Sequence, residues 1–191
     1  MKGYVYIMFK GADPGQGWTM TDPIFGKKPT LGACVPQIRR AVTRGDWIFP
    51  ISGRLPTVRQ YVVGGIRVSE KIDALAAYER FPDYRQRRLE NGETRGNVIV
   101  TADGKQANSD YHSNFEKRLD NYLIGDKSIT VESADAIERA RAETTEFLAK
   151  MFGKHDAKKP ADAIGRYRKL DEAQVEKMLE WMNSLKIGRR A

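Results

Sequence analysis

Short apolar runs bounded by glycine, proline or charged residues predict the strands of this chain. The first run, Tyr4 to Phe9, is aromatic and β-branched, which predicts a central strand buried on both faces. Runs at 46–51 and 59–68 predict two further strands. The Gly64-Gly65 pair inside the last run marks a bulge or a place where another backbone or a ligand comes close.

The segment after the first strand, residues 11–33, follows neither a helical nor a strand period. It is rich in glycine and proline, and it also carries Trp18, Ile24 and Phe25. A loop of this length inside a domain is usually functional or disordered. Because disordered linkers tend to lack such large apolar side chains, we expect an ordered surface loop.

A helical period begins after this loop. Pro36 suits the first turn of a helix, and an apolar stripe follows it at spacings of three and four residues. This stripe leaves Arg39, Arg40 and Arg44 mostly on the remaining face. Gly45 is placed to end the helix in the left-handed conformation.

The last third of the chain is predicted to be helical. Ser133 can cap a helix that ends at Gly153, and the polar residues 154–169 then predict a basic linker. Asp171 and Gln174 can form the capping box of a final helix.

Residues 105–125 fit two interpretations. Apolar side chains recur there at helical spacing, but the serines and asparagines among them are poor helix formers. We divide the chain into a domain of residues 1–130 and a helical C-terminal extension, residues 131–191, that packs on it.

The charge of the chain favours polyanionic partners. It has 33 Lys and Arg against 25 Asp and Glu, a formal net charge of +8. Such an excess suits nucleic acid, nucleotides or an anionic membrane surface. The alternative is a solvated basic surface that serves solubility.

The numbers of cysteines and histidines and the hydropathy of the chain argue against disulfide-bonded, metal-binding and membrane-spanning proteins. Cys34 is the single cysteine, so no disulfide forms within the chain, which suits a reducing compartment. The two histidines, His112 and His155, are far apart in sequence, so we expect no metal site. No run of about 18 apolar residues is present, and we expect a cytoplasmic protein without a membrane segment.

The common motifs of nucleotide enzymes are missing. The sequence has no Walker-type phosphate loop, no GxGxxG, no GxSxG, no HExxH and no paired CxxC. Common nucleotide hydrolases and dehydrogenases are therefore poorly supported, and no cofactor is expected.

One stretch has an order and spacing that resemble a known family. Residues 30–48, TLGACVPQIRRAVTRGDWI, resemble the core of the second nucleotide-modification-associated domain family, and the match extends over roughly residues 3–125. That family is predicted from bacterial and phage gene neighbourhoods concerned with modified DNA bases. The resemblance implies a function linked to DNA modification systems.

A wider similarity concerns the fold. Residues 45–53 and 62–68 look like the helix, Gly-Asp turn, strand, Ser, strand order of PUA-like domains, including the EVE and ASCH groups. Those domains are small barrels, several of which bind RNA or cage a flipped, modified base. The resemblance implies an α+β fold, either a small PUA-like mixed β-barrel or a strongly bent sheet flanked by helices. It also implies a pocket near the first strand, the long loop and the Ser52-Gly53 turn.

A pocket that reads a base needs aromatic walls, polar groups for the base edge and cations for the flanking phosphates. For each aromatic side chain the competing interpretation is core packing, which we favour for Trp47. The candidate binding residues are Tyr4, Tyr6, Trp18, Phe25, Arg39, Arg40, Trp47, Ser52, Arg54, Ser113 and Asn114.

Residues 111–114, Tyr-His-Ser-Asn, form the one cluster that looks reactive. His112 can act as general acid or base near neutral pH, with Asp46, Asp83 or Asp110 to orient it. A histidine that is only hydrogen-bonded in a loop is the more frequent case.

Three hypotheses follow. The first is a module that recognises a modified base. It binds either nucleic acid, with DNA favoured over RNA, or a nucleotide. The second is an enzyme of nucleotide or base modification that uses His112. The third is an interaction protein whose C-terminal helices bind a partner.

Overall fold

The predicted α+β class is confirmed. The computed structural model describes residues 1–109, 111–112 and 114–186. Its strands are β1 (Gly3–Ile7), β2 (Thr30–Leu31), β3 (Trp47–Ile51), β4 (Gly64–Ile72), β5 (Arg87–Arg88), β6 (Thr94–Arg95), β7 (Tyr122–Thr130) and β8 (Tyr167–Leu170). Its α-helices are α1 (Pro36–Ala41), α2 (Ala74–Arg80), α3 (Ala134–Phe152), α4 (Pro160–Ile164) and α5 (Glu172–Lys186). Short 3₁₀ turns lie at Pro14–Gln16, Pro82–Tyr84 and Phe115–Arg118.

Six strands form one mixed sheet in the order β2-β7-β4-β3-β1-β8. β1 runs parallel to β3 and antiparallel to β8. β2 and β8 are the two ends of this order, so the sheet is open. Of the two predicted forms, barrel or bent sheet, the closed barrel is therefore wrong. The edge strand β8 carries Arg168 and Lys169 in exposed positions, and such charges protect an edge against further pairing.

The chain forms two compact units. Unit 1 comprises residues 1–18, 46–65 and the chain from residue 129 onward, and unit 2 comprises residues 19–45 and 66–128. Each unit is therefore assembled from segments that are distant in sequence.

Unit 1 buries the apolar faces of its long helices. On α5 the buried side chains repeat at spacings of three and four, as the sequence predicted. On α3 the buried face is built from small residues and one leucine. These buried side chains are Val175, Met178, Met182 and Leu185 on α5, and Ala136, Ala140, Thr144, Leu148 and Ala149 on α3.

The predicted helix caps of unit 1 are confirmed. The Ser133 hydroxyl accepts a hydrogen bond from the N–H of Ala136 at 3.3 Å, and Gly153 ends α3 with a φ of 64°. Asp171 and Gln174 form the reciprocal capping box of α5, with N···O distances of 3.0 and 2.8 Å.

Unit 2 has a core of its own. Small residues of α2 let Phe81 and Tyr122 stack with ring centroids 5.9 Å apart. The buried side chains of this core are Ala74, Ala77, Phe81, Val98, Val100, Tyr122 and Ile124.

The boundaries of several elements differ from prediction. The first helix ends at Ala41, because Val42 is already extended, and Gly45 lies in the following turn with a φ of 91°. The strand predicted at 59–68 begins only at Gly64. Apart from positions 110 and 113, which the structure does not describe, residues 105–125 contain a 3₁₀ turn and the start of β7 and no α-helix, so the helical interpretation is wrong.

The predicted linker at 154–169 is also corrected. It contains α4, which begins at Pro160, and most of β8. In an edge strand whose side chains are mostly exposed, apolar and polar residues do not alternate along the sequence. The usual sequence pattern of a strand is therefore missing in β8. No helix among the residues that the structure describes is long and apolar enough to cross a membrane.

Candidate functional site

The end of β1 and the turn after β3 meet through their backbones in unit 1. The N–H of Gly53 donates to the carbonyl of Ala12 at 2.6 Å, and the N–H of Gly11 donates to the carbonyl of Arg54 at 3.2 Å. A Cβ atom at Gly53 would overlap the carbonyl oxygen of Phe9. Only glycine at position 53 therefore allows the two backbones to approach this closely.

An aromatic pair lies at this junction. The rings of Phe9 and Trp18 meet edge to face, with centroids 5.4 Å apart and an interplanar angle of 87°. Phe9 is 57% exposed and Trp18 is half-buried. The exposed side chains of Lys10 and Arg54 belong to the same two segments. Aromatic surface and positive charge thus occur together at the end of β1.

A buried ion pair holds the loop that carries Trp18. Asp13 is fully buried, and its carboxylate accepts two hydrogen bonds from the guanidinium of Arg141 on α3, at 2.7 and 2.9 Å. The carbonyl of Asp13 accepts the N–H of Trp18 at 3.2 Å. Arg141 also donates to the carbonyl of Arg59. The loop is therefore fixed to the longest helix of unit 1.

Tyr61 lies beneath the same guanidinium. The Arg141 carbon Cζ is 4.6 Å from the centroid of the Tyr61 ring. Burial of the phenol, and next the charge of Asp13, raise the pKa of Tyr61 to about 12. The hydroxyl therefore stays neutral at physiological pH.

Ser52 lies in the interior of unit 1. Its hydroxyl accepts the N–H of Tyr61 at 3.1 Å, and its carbonyl accepts the side-chain amide of Gln60 at 2.7 Å. Ser52 thus shapes the turn from within and is not presented to solvent, while its neighbour Arg54 is exposed.

The aromatic side chains of β1 and β3 are mainly core. Tyr6 is 1% exposed, and Trp47 is 7% exposed with its ring stacked on Phe49 at 5.8 Å. The core interpretation of Trp47 is confirmed. Tyr4 is half-buried, and burial followed by the nearby charge of Asp46 raises its pKa.

Arg39 lies in the interior of unit 2. It is 0% exposed, so the prediction that it lies on the solvent face of α1 is wrong. Its guanidinium donates to the carbonyls of Cys34, Asp120, Asn121, Ala33 and Arg118, at distances of 2.8 to 3.5 Å. Burial lowers the pKa of Arg39 to about 10. The role of this cation is to satisfy backbone carbonyls.

A second buried network of unit 2 orders the residues before α1. The Asp22 carboxylate accepts the consecutive N–H groups of Gly32, Ala33 and Cys34 at 2.7, 2.9 and 2.5 Å. The side chain of Asn97 donates to the same carboxylate at 3.0 Å. Amide N–H groups thus surround an anion, as in an anion-binding site, and the anion is the carboxylate of Asp22 itself.

The network continues through buried side chains. The Tyr122 hydroxyl donates to the Asn97 side-chain oxygen at 2.7 Å, and the Asn97 side-chain nitrogen donates to the Thr30 hydroxyl at 3.0 Å. Burial raises the pKa of the Cys34 thiol well above its usual range, with the charge of Asp22 as the next cause. Cys34 is therefore held as a thiol and is a poor nucleophile.

The remaining candidates of unit 2 lie apart from this network. Phe25 is half-buried, and Arg40 and Asn114 are exposed. Ser113 lies outside the described residues, as does Asp110. With the Gln106 side-chain amide turned so that both of its atoms are satisfied, its oxygen accepts the N–H of His112 at 2.8 Å and its nitrogen donates to the His112 carbonyl at 3.2 Å. Catalysis by His112 stays a prediction.

Several residues of the site were missed by sequence analysis. The apolar run from Tyr4 to Phe9 predicts that Phe9 lies in a buried strand, whereas β1 ends at Ile7 and Phe9 is exposed. Lys10 and Gly11 directly after it signal the end of that strand. Asp13 and Arg141 are 128 residues apart, so no local pattern links them. The same holds for Asp22 and Asn97, which are 75 residues apart.

No group of three or more His, Cys, Asp or Glu side chains within residues 1–109, 111–112 and 114–186 is placed to hold a metal ion.

Comparison with known protein families identifies a match. The family model of the nucleotide modification associated domain 2 matches residues 13–133, which is more than half of the chain. No curated protein and no solved structure matches the chain significantly. The matched range contains Trp18, the Ser52-Gly53-Arg54 turn and both networks of unit 2. The chain therefore belongs to the family of the nucleotide modification associated domain 2, which links it to nucleotide modification.

Proposed function

We propose that the chain is a nucleic-acid-binding module that recognises a modified base, through the surface formed by Phe9, Lys10, Trp18 and Arg54. The observation that carries the proposal is the edge-to-face pair of the exposed Phe9 and the half-buried Trp18 in a chain of this family. Family membership supports the link to nucleotide modification, and the aromatic pair supports a base as the group that is bound.

The aromatic pair suits a base because every base has a flat π surface. Stacking of one base on an aromatic side chain contributes about 1–3 kcal/mol, measured by substitution with alanine. Phe9 keeps 57% of its surface in water in the free protein, so contact with a base removes apolar area from solvent. The buried Asp13–Arg141 pair fixes the loop of Trp18 in advance, which lowers the entropy lost on binding.

Lys10 and Arg54 support a polyanion as the ligand. Both side chains are exposed, Lys10 directly follows Phe9 in sequence, and the carbonyl of Arg54 accepts the N–H of Gly11. The whole chain carries a formal charge of +8. Phosphate contacts of this kind position a strand, whereas contacts with the base determine which base is bound. DNA is the expected nucleic acid, because the resemblance of residues 30–48 is to a family predicted from gene neighbourhoods concerned with modified DNA bases.

The test is a titration of labelled duplexes and single strands that carry plain, methylated, hydroxymethylated or glucosylated bases. We expect the wild type to prefer one modified base by about tenfold, which corresponds to roughly 1.4 kcal/mol. Phe9→Ala and Trp18→Ala should each weaken binding by about 1–3 kcal/mol and reduce the preference.

The control variant is Leu75→Ala. Leu75 is another exposed apolar side chain, 46% accessible, and it belongs to unit 2. Its substitution should leave the affinity and the preference unchanged. Equal affinity of the wild type for plain and modified bases in every probe would disprove base recognition.

A further inference from the structure

A concave surface of unit 1 lies outside the aromatic site. It has a volume of about 440 Å³ and lies between α3, the turn after α3, and Arg59. The family match ends at residue 133, so Arg59 is the one lining residue within the matched range. We call this surface the α3 cleft.

Small side chains make room for the α3 cleft. Ala142, Thr145 and Ala149 recur on α3 at spacings of three and four residues, so they share one face of the helix. Ala157 lines the cleft from the turn after the helix. That turn is held by hydrogen bonds from the N–H of Lys154 to the carbonyl of Ala149 at 2.8 Å, and from Ala157 to Lys154 at 3.0 Å.

Cations line the rim of the α3 cleft. Arg59, Lys150 and Lys158 are exposed and carry permanent charge at neutral pH, and His155 lies among them. The single lining carboxylate, Glu146, is paired with Lys150 at 2.7 Å. Three cations against one carboxylate leave an excess of two positive charges. The backbone of Arg59 is fixed to α3 through the guanidinium of Arg141.

We propose that the α3 cleft binds phosphate groups of the nucleic acid whose base the aromatic surface recognises; this inference rests on the proposed function. A concave floor of small side chains admits a phosphate, and the rim provides the fork of Arg59 and the point charge of Lys158, while Lys150 is already paired with Glu146. The same phosphate chemistry is present in a free nucleotide, so the experiment includes both sources.

The experiment measures binding of a labelled duplex and a labelled single strand over a series of salt concentrations. The test variant is Arg59→Gln/Lys158→Gln. The control variant is Lys117→Gln/Lys177→Gln, which removes the same charge at two other exposed positions. All four positions are exposed, so both variants should keep the thermal stability of the wild type.

The expected result concerns the slope of log affinity against log salt. Loss of two phosphate contacts should reduce the steepness of this slope by about 1.8 for a duplex or about 1.4 for a single strand. The control should keep the wild-type slope. Equal changes in both variants, no change in either, or no binding by the wild type at low salt would overturn the proposal.

Two further readouts identify the source of the phosphate and separate the two proposals. The first readout is the affinity for a nucleoside monophosphate. If the wild type binds it as tightly as the strand, and only the test variant fails to bind it, the cleft binds a free nucleotide rather than a strand. That result would contradict the proposal. The preference for a modified base reports on the aromatic surface alone. A wild type without preference, combined with a slope reduced only in the test variant, would retain the cleft and reject base recognition.

Discussion

At the scale of single residues, burial decides which charged and polar groups take part in binding. Arg39 is a cation on the predicted binding helix, yet its donors all face backbone carbonyls of unit 2. Asp22 is an anion enclosed by backbone amides. Both groups stabilise loops from within, whereas Arg54 keeps its side chain in solvent.

Tyr61 should make the stability of the protein sensitive to alkaline pH. Its pKa in the folded protein is about 12, above the ordinary value of 10.0, so folding favours the neutral phenol. The stability that this preference contributes is complete below pH 10 and is lost as the pH rises from about 10 to about 12. Urea unfolding of the wild type and of Tyr61→Phe should therefore show the wild type losing stability relative to the variant in that range.

A control for the tyrosine experiment is Tyr111→Phe. The side chain of Tyr111 is 84% exposed, so its phenol is surrounded by water in the folded and unfolded chain alike. This variant should follow the wild type at every pH. A constant difference in the free energy of unfolding between wild type and Tyr61→Phe from pH 9 to 12 would contradict the prediction.

At the scale of elements, a few long-range contacts position the candidate surface. The Asp13–Arg141 pair connects the loop of Trp18 to α3, and the Gly53–Ala12 hydrogen bond connects the same loop to the turn after β3. Both contacts act on a segment that lies outside the strands of the sheet. The aromatic pair therefore depends on the packing of unit 1.

Asp13→Ala should destabilise the protein by about 3–5 kcal/mol, because it leaves the guanidinium of Arg141 buried without its carboxylate. The side chain of Arg141 is 13% exposed, so water compensates little for the loss. The measurement is urea unfolding, followed by the fluorescence of Trp18 and the other tryptophans.

The double variant Asp13→Ala/Arg141→Met is the matched comparison. Removal of both charges should restore part of the lost stability, since an apolar side chain tolerates that environment better than an unpaired cation. A loss of less than about 1 kcal/mol in Asp13→Ala would mean that the pair does not hold the loop.

At the scale of the whole molecule, unit 1 is completed by residues beyond the family match. The strand β8 pairs with β1 over four residues, from Gly3 with Leu170 to Tyr6 with Tyr167. The apolar face of α5 is buried, with Val175, Met178 and Met182 at 0% exposure. That face is occupied within unit 1, so it is not the surface through which a partner would bind.

A chain truncated after Val131 should therefore fail to fold its first unit. It would lack β8 and the buried faces of α3 and α5, and would expose Val5 and its neighbours to water. Hydrogen exchange of the β1 amides should show protection in the full chain and none after truncation. Protected β1 amides in the truncated chain would show that the matched region folds without the C-terminal residues.

Local chemistry determined much of the secondary structure. The caps at Ser133, Gly153 and Asp171 were predicted from the sequence because a cap uses atoms within about four residues of it. The periodic stripe of α5 and the strand β1 were evident for the same reason. The short edge strand β8 was missed, because its exposed side chains have no period to reveal it. At 115–118 the structure has a 3₁₀ turn, where apolar side chains at helical spacing had favoured a helix.

The candidate site was predicted in part. The resemblance indicated that the first strand, the long loop and the turn at Ser52-Gly53 lie together, and hydrogen bonds within unit 1 join these segments. Which side chains they expose was not predictable. Ser52 and Arg39 are buried and Phe9 is exposed, because contacts over tens of residues decide the direction of each side chain.

The sequence by itself determined the α+β class, the positive charge, the helix caps and the family, since each rests on composition or on neighbouring residues. Only the tertiary structure decided that the sheet is open, that Asp13 meets Arg141, and that small residues of α3 leave a cation-lined cleft. The physical reason is distance along the chain. Burial and pairing depend on residues that are distant in sequence and that folding brings together. A local sequence pattern therefore does not predict the partner of a given residue.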